Sequence, residues 1–235
     1  MPAGRGQSRE FWRGAGRRVA EFTLILGNKN YSSWSLRAWL VVKQAGLDFE
    51  ELVIPLYNQT HKAEILRHSP SGKVPCLKHG ETIVWESLAI AEYVNELKPE
   101  AGLWPAEPAA RALARSVSAE MHAGFAQLRK HMPMNLRAST GDRGLASAVQ
   151  EDVNRITALW RDCRRRHAGY KPYLFGEVSI ADFMYAPVAA RFQTYGVALD
   201  GDAQDYVTAV LELAAMQEWT EAAKREPWII PELEV

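Results

Sequence analysis

The 235-residue chain is short of sulfur, with only two cysteines, Cys76 and Cys163, and no C-x-x-C pair. A disulfide scaffold and a cysteine-rich zinc site are therefore unsupported, and a reducing cytoplasm is the expected setting. Its six histidines form no His-x-x-x-His pair, so no metal centre is expected. Neither G-x-G-x-x-G nor G-x-x-x-x-G-K-[ST] occurs, which argues against a nucleotide. Apolar runs are too short to span a bilayer. No charge of one sign dominates, since 28 Lys and Arg balance 28 Asp and Glu, so neither nucleic acid nor a membrane is called for as a partner.

What is present describes an ordinary globular chain, 47% apolar and 24% charged, long enough for one large domain or two small ones. The charge is unevenly placed. Residues 1–20 carry Arg5, Arg9, Arg13, Arg17 and Arg18 against Glu10 alone, leaving the remainder with 23 basic and 27 acidic side chains. This stretch reads as a flexible basic leader ahead of a transit peptide, because it lacks the apolar core of a secretory signal and its glycines weaken an amphipathic helix.

Residues 21–97 alternate strand and helix. Phe22–Leu26 is a β-prone run ended by Gly27-Asn28-Lys29-Asn30, and Leu36–Gln44 is a helix stopped by Gly46. Phe49–Ile54 supplies a second strand and Asn58–Arg67 a short helix. Val74–Leu77 and Glu81–Val84 form a hairpin, and Glu86–Leu97 a third helix whose buried flank is expected at Leu88, Ala89, Tyr93 and Leu97. The order is βαβαββα, a small mixed sheet with helices on both faces. Pro99, Gly102, Pro105 and Pro108 mark residues 98–108 as a linker.

Residues 109–235 are all helical. Ala109–Lys130 places Leu113, Val117, Met121, Phe125 and Leu128 at helical spacing, and an exposed loop is expected at Ser139–Gly144. Leu145–His167 buries Val149, Val153, Ile156, Leu159, Trp160 and Cys163, while Arg161, Arg164, Arg165 and Arg166 form a solvated end. Ser179 and Asp182 have capping-box spacing before an apolar helix, Ile180–Phe192; Asp182→Ala should cost about 1 kcal/mol if the carboxylate is only a cap. Val207–Leu213 and Met216–Lys224 add helices, and the tail from Pro227 is expected to fold back over the first domain.

Two stretches between Leu66 and Leu97 bear chemistry. Pro75 places Val74–Leu77 on a sheet edge, or lies at the strand's first residue, and its X-Pro bond is a candidate for the cis form. A cis bond there turns the Val74 backbone outward, free to pair with an extended ligand. Glu86 and Ser87 open the third helix, whose free N–H groups suit a carboxylate while Glu86 suits an ammonium; an α-amino acid carries both. The alternative is a ligand-free cap made by the same two side chains.

With Gly72-Lys73-Val74-Pro75-Cys76-Leu77, Glu86-Ser87-Leu88-Ala89-Ile90 and Ser32-Ser33-Trp34-Ser35-Leu36-Arg37 in place, the chain resembles the cytosolic glutathione S-transferases from Phe22 to about Trp228. The serine stretch is similar to the Ser-Ser-Cys-Ser-Trp-Arg motif of the zeta (maleylacetoacetate isomerase) class, with Trp34 in the cysteine position. The resemblance implies a thioredoxin-like α/β N-terminal domain, an all-α C-terminal domain, a two-fold homodimer, and glutathione as co-substrate in the cleft between domains. It implies that Lys73, Val74 and cis-Pro75 bind glutathione, the Val74 backbone pairing with its cysteinyl part. Glu86 and Ser87 hold the γ-glutamyl ammonium and carboxylate, and Ser32 or Ser33 donates to the sulfur. Tyr31 is a further possible donor.

A thiol ionises near pH 8.5, and each unit of lowering is worth about 1.4 kcal/mol. A hydroxyl donor and the positive end of the first helix together favour the thiolate, which attacks an electrophile without a covalent enzyme intermediate. Without the resemblance, Ser32 and Ser33 read as an N-cap pair. The second substrate draws on Met121, His122, Phe125, Arg129, Met132, Met134 and Asn135, with Arg129 and Arg137 as cations; Arg129 in the cleft would favour an anion. Three functions follow: a glutathione transferase of broad electrophile range, a maleylacetoacetate-type isomerase, or a non-catalytic module for glutathione carriage or protein association.

Overall fold

Five β-prone residues, Phe22–Leu26 (β1), sit at the centre of a four-stranded sheet in the computed structural model, which describes residues 21–141 and 144–235. The basic leader, and positions 142 and 143 of the expected Ser139–Gly144 loop, lie outside the described residues. β1 runs parallel to Phe49–Val53 (β2), with Phe22 opposite Phe49, and antiparallel to Cys76–His79 (β3), with Ile25 opposite Cys76. Thr82–Trp85 (β4) pairs antiparallel to β3, giving the order β2-β1-β3-β4. Successive side chains of β1 face opposite ways. Leu24 and Leu26 join the main core with Ser33–Gln44 (α1) and Ser87–Leu97 (α3), whereas Ile25 meets Ile54, Ile65 and Cys76 beneath His61–Leu66 (α2). The expected βαβαββα order is therefore observed.

Two local expectations are corrected. β3 lies between β1 and β4 rather than on an edge, and Pro75 stands just before its first residue, where the missing N–H costs no ladder bond. The buried flank of α3 is Ser87, Ile90, Ala91 and Val94; Leu88 and Tyr93 are half-buried, and Ala89 and Leu97 face outward. The helix is apolar on several sides, so its phase follows from packing on α1 rather than from its own periodicity.

The second half is helical: Pro108–Ala123 (α4), Ala126–His131 (α5), Ser147–His167 (α6), Ile180–Thr194 (α7), Gly201–Leu211 (α8) and Ala214–Arg225 (α9). The helix expected across residues 109–130 is broken at Gly124 and Phe125. Phe125 takes φ 60°, and a Cβ on Gly124 would stand 2.8 Å from the Glu120 carbonyl oxygen. α6 buries the six residues its periodicity predicts, and its arginines pair with Asp162, Asp200 and Asp202.

α7 is buried on nearly every side and packs against α1, α4 and α8. The capping box at its start is formed, and the Asp182 carboxylate goes further than a cap. It accepts the Ser179 N–H at 2.8 Å, the Ser179 hydroxyl at 3.0 Å and the N–H of Leu174, eight residues upstream, at 3.0 Å. It therefore ties down the loop entering α7 as well as the helix end. The tail beyond Arg225 does return to the β1–α1 loop, as expected, through the hydrogen bonds described below.

Candidate functional site

The first turn of α1 supplies one wall of the site. Ser32 caps the helix: its Oγ accepts the Ser35 N–H at 3.3 Å and donates to the Ser35 hydroxyl at 2.8 Å, which in turn accepts the Gly27 N–H at 2.9 Å. The N-cap expected of a lone serine pair is thus present at Ser32. Ser33 differs, because its oxygen accepts from the Arg191 guanidinium at 3.3 Å. Both serines are buried.

Around this turn stand three guanidiniums. Arg37 is fully buried, donating to the Met184 carbonyl at 2.9 Å and the Ser33 carbonyl at 3.2 Å, and its remaining NH2 group has no partner among the described residues. Arg191 donates to the carbonyls of Met132 and Pro187. Arg129 donates to the Met121, His122 and Gly124 carbonyls left open where α4 ends. Burial pushes all three below the usual arginine range, Arg191 to about 10, and neighbouring guanidiniums push Arg37 and Arg191 further. None makes an ion pair within 4.0 Å among the described residues, although the Asp152 carboxylate partly offsets Arg129. The Trp34 ring lies between two of them, 4.7 Å from the Arg37 guanidinium carbon and 4.5 Å from that of Arg129.

The second wall is the β3–α3 region. The Val74-Pro75 bond is cis, and the Val74 N–H and carbonyl have no partner among the described residues. Glu86 precedes α3 at φ 71°, an uncommon conformation for a residue with a side chain, and makes no side-chain cap bond. The Ser87 hydroxyl is buried without a partner among the described residues. The ligand-free cap considered for Glu86 and Ser87 is therefore not formed. Strain and an unsatisfied buried hydroxyl thus stand at adjacent residues, each with a cost to folding.

A cavity of about 370 Å³ is lined by Trp34, Lys73, Val74, Pro75, Glu86, His122 and Ala123; the buried Ser32, Ser33 and Ser87 are not among its lining residues. His122 lies edge-on to Trp34, and its Nε2 is 3.6 Å from the Glu86 carboxylate. Burial lowers the histidine below its usual range, partly opposed by Glu86. The cavity presents the Glu86 carboxylate and the free Val74 peptide edge, and the Ser87 hydroxyl is buried next in sequence to Glu86. Other candidates are engaged elsewhere. Tyr31 gives its hydroxyl to Glu234 and accepts from Arg137 at 2.6 Å, Arg129 turns to the end of α4, and Met121, Phe125, Met132 and Met134 lie in the core. Asn135 bonds Asn30 at 2.9 Å. Arg129 is thus not free in the cleft for an anionic substrate. Among the described residues no three His, Cys, Asp or Glu side chains gather as a metal site, and no helix is long and apolar enough to cross a membrane.

The sequence model of the glutathione S-transferase N-terminal domain matches residues 31–97, and that of the C-terminal domain matches residues 108–225. The chain belongs to the glutathione S-transferase family. Among relatives of this family member, a "Probable maleylacetoacetate isomerase" of Caenorhabditis elegans is 31% identical over 158 residues, 66% of this chain and 72% of the other. "Glutathione S-transferase 1" of Dianthus caryophyllus is 30% identical, covering 70% and 75%. The crystal structure of a glutathione transferase homolog from Burkholderia GL BGR1, with bound glutathione, superposes with a TM-score of 0.65 at 25% identity, over 86% of this chain and 97% of that one.

In this member of the family, sequence reasoning missed Arg191 and gave no part to Arg37 or to the ring of Trp34. Arg37 stood inside the quoted serine stretch, and Arg191 was a lone cation in an otherwise apolar helix. Both signals were visible: a guanidinium on a buried helix is seldom neutral in its consequences.

Proposed function

We propose that the chain is a glutathione transferase in which a serine hydroxyl at the start of α1 favours the thiolate of bound glutathione for attack on a small electrophile. The observation that carries this reading is the cavity that brings Val74, Pro75 and Glu86 together with Trp34, the residue that follows Ser32 and Ser33 at the start of α1. Glutathione lies extended along Val74, pairing with its N–H and carbonyl, with Lys73 and Pro75 alongside. Glu86 takes the γ-glutamyl ammonium, and the Ser87 hydroxyl with the α3 N-terminus takes the carboxylate. The bound glutathione of the Burkholderia homolog supports the ligand.

The sulfur is directed to the Ser32–Ser33 corner. A hydroxyl hydrogen rotates freely, so Ser35 can donate to Ser32 and release the Ser32 hydrogen to the sulfur. Ser33, already accepting from Arg191, is the alternative donor. The guanidiniums of Arg37, Arg129 and Arg191 add positive potential that favours the anion. Ser32→Ala should raise the thiol pKa of bound glutathione by about one unit, read by ultraviolet thiolate absorbance, and lower kcat about tenfold. If Ser32→Ala and Ser33→Ala both leave turnover unchanged, the donor is misassigned.

The second reading is a maleylacetoacetate-type isomerase, favoured by the serine stretch and the Caenorhabditis elegans relative. Assay of cis-trans isomerisation of a maleyl diacid, in wild type and Trp34→Cys, separates it from transfer. Retention of glutathione with no turnover of either kind would favour a carrier. The domain division at residues 98–108 and a two-fold homodimer are part of the same proposal, the latter tested by sedimentation.

A further inference from the structure

The loop that leads into Ser32 is held largely by the second half of the chain, by residues 135–137 and by the segment from Trp219 to Glu234. From its own half come the Asn28 carbonyl, which accepts the Tyr31 and Ser32 N–H groups at 3.2 and 2.8 Å, and the bond from the Leu56 N–H to the Asn28 side chain at 2.8 Å. The C-terminal half supplies more. Glu226, just past α9, accepts the Lys29 N–H at 2.7 Å and the Asn30 N–H at 3.1 Å. The Trp219 indole donates to the Lys29 carbonyl at 2.9 Å. The Asn30 side chain bonds Asn135 and accepts the Arg137 N–H at 3.0 Å. The Tyr31 hydroxyl accepts the Ile230 N–H at 3.3 Å in addition to its bonds with Arg137 and Glu234. Arg137 also donates to the carbonyls of Glu226 and Trp228 at 3.0 and 2.9 Å, so one guanidinium joins tail to loop.

Val74, Glu86 and Ser87, by contrast, make no hydrogen bond to residues 226–235. The proposed grip on the tripeptide and the proposed thiol donor thus have separate supports. We infer that residues 226–234 form a strap that sets the Ser32–Ser33 corner, with Tyr31, Arg137 and Glu226 as positioning residues for thiol activation rather than for glutathione affinity. This rests on the glutathione reading above. A hydroxyl bond to sulfur weakens steeply with distance and angle, so a corner released from its strap loses donor strength while the ends of the tripeptide stay held.

The test compares Tyr31→Phe and Glu226→Ala with wild type in the full chain, using glutathione and chlorodinitrobenzene. Glu226 touches the loop only through the Lys29 and Asn30 N–H groups, so its variant reports the strap without altering any hydroxyl near the sulfur. Both variants should lower kcat roughly tenfold and raise the thiol pKa of bound glutathione by about one unit, with KM for glutathione within about twofold of wild type. Glu226→Gln, which keeps one carbonyl acceptor, should fall between wild type and Glu226→Ala. A loss confined to Tyr31→Phe overturns the strap and makes Tyr31 a direct donor. Unchanged kcat and thiol pKa in both variants, or a rise in KM as large as the fall in kcat, also overturns it. Wild-type chain that does not bind glutathione overturns the site reading and the strap together; wild-type binding with unaffected variants overturns the strap alone.

Discussion

Replacing Glu86 by glycine should move folding and binding in opposite directions. Glu86 adopts φ 71°, ψ 128°, and a side-chain-bearing residue held in so sparsely populated a region costs about 1–3 kcal/mol. Its side chain returns little, being 48% exposed, without a cap bond, and 3.6 Å from a histidine whose charged form burial disfavours. Glycine relieves the strain but gives the unfolded chain more freedom, a penalty of about 0.5–1 kcal/mol. The net expectation is a gain of about 1 kcal/mol, or a Tm about 2–4 °C higher for a chain of this size. The same change removes the carboxylate proposed for the glutathione ammonium, a charged bond of about 1.5–3 kcal/mol, so Kd should rise at least about tenfold. Thermal unfolding and calorimetric titration with glutathione read the two effects, and Glu86→Ala is the control that loses affinity without the gain in Tm. A lower Tm for the glycine variant refutes the strain argument. A higher Tm with unchanged Kd refutes the binding role.

Asp182→Ala should cost about 3 kcal/mol rather than the 1 kcal/mol or so of a simple cap, since it orphans the buried Leu174 and Ser179 N–H groups; urea unfolding measures it. Burial pushes the Asp182 carboxyl from 3.8 up to about 6, so the folded chain holds that proton more tightly than the unfolded one. The stability this contributes is complete below about pH 4 and is lost as pH rises through about 6, a slope that Asp182→Asn should remove. Ser87→Ala should weaken glutathione binding several-fold while leaving Tm unchanged or higher, because the hydroxyl it removes is buried and unpartnered. On acidification below the histidine range, protonated His122 should compete with the ligand ammonium for Glu86, raising KM for glutathione in wild type but not in His122→Asn.

Much of the architecture was legible because local signals agreed. The β-prone run of β1, the six-residue buried face of α6 and the Ser179–Asp182 spacing each had one physical solution, and each is observed. Where several solutions competed, the sequence could not choose. α3 is apolar on more than one side, and a helical pattern running through Gly124 hid the break that Phe125 makes in a left-handed conformation. At the site, the residue types of the first wall were readable from the serine stretch and those of the second from the Val-Pro and Glu-Ser pairs. Their state was not: the strained Glu86, the unpartnered Ser87 hydroxyl and the buried Arg191 depend on contacts made across the whole chain. Tyr31 illustrates the limit best, since the groups that take its hydroxyl, Arg137 and Glu234, lie more than a hundred residues away in sequence.

Both cysteines lie in the interior, and burial pushes their thiols up, Cys76 above its ordinary value and Cys163 to about 12. A chain so built has almost no thiolate of its own at neutral pH. It should resist alkylating reagents and mixed-disulfide formation with oxidised small thiols while folded. Any nucleophilic sulfur handled in the cleft must then arrive with a ligand and leave with a product, and the polypeptide itself stays unmarked by the exchange.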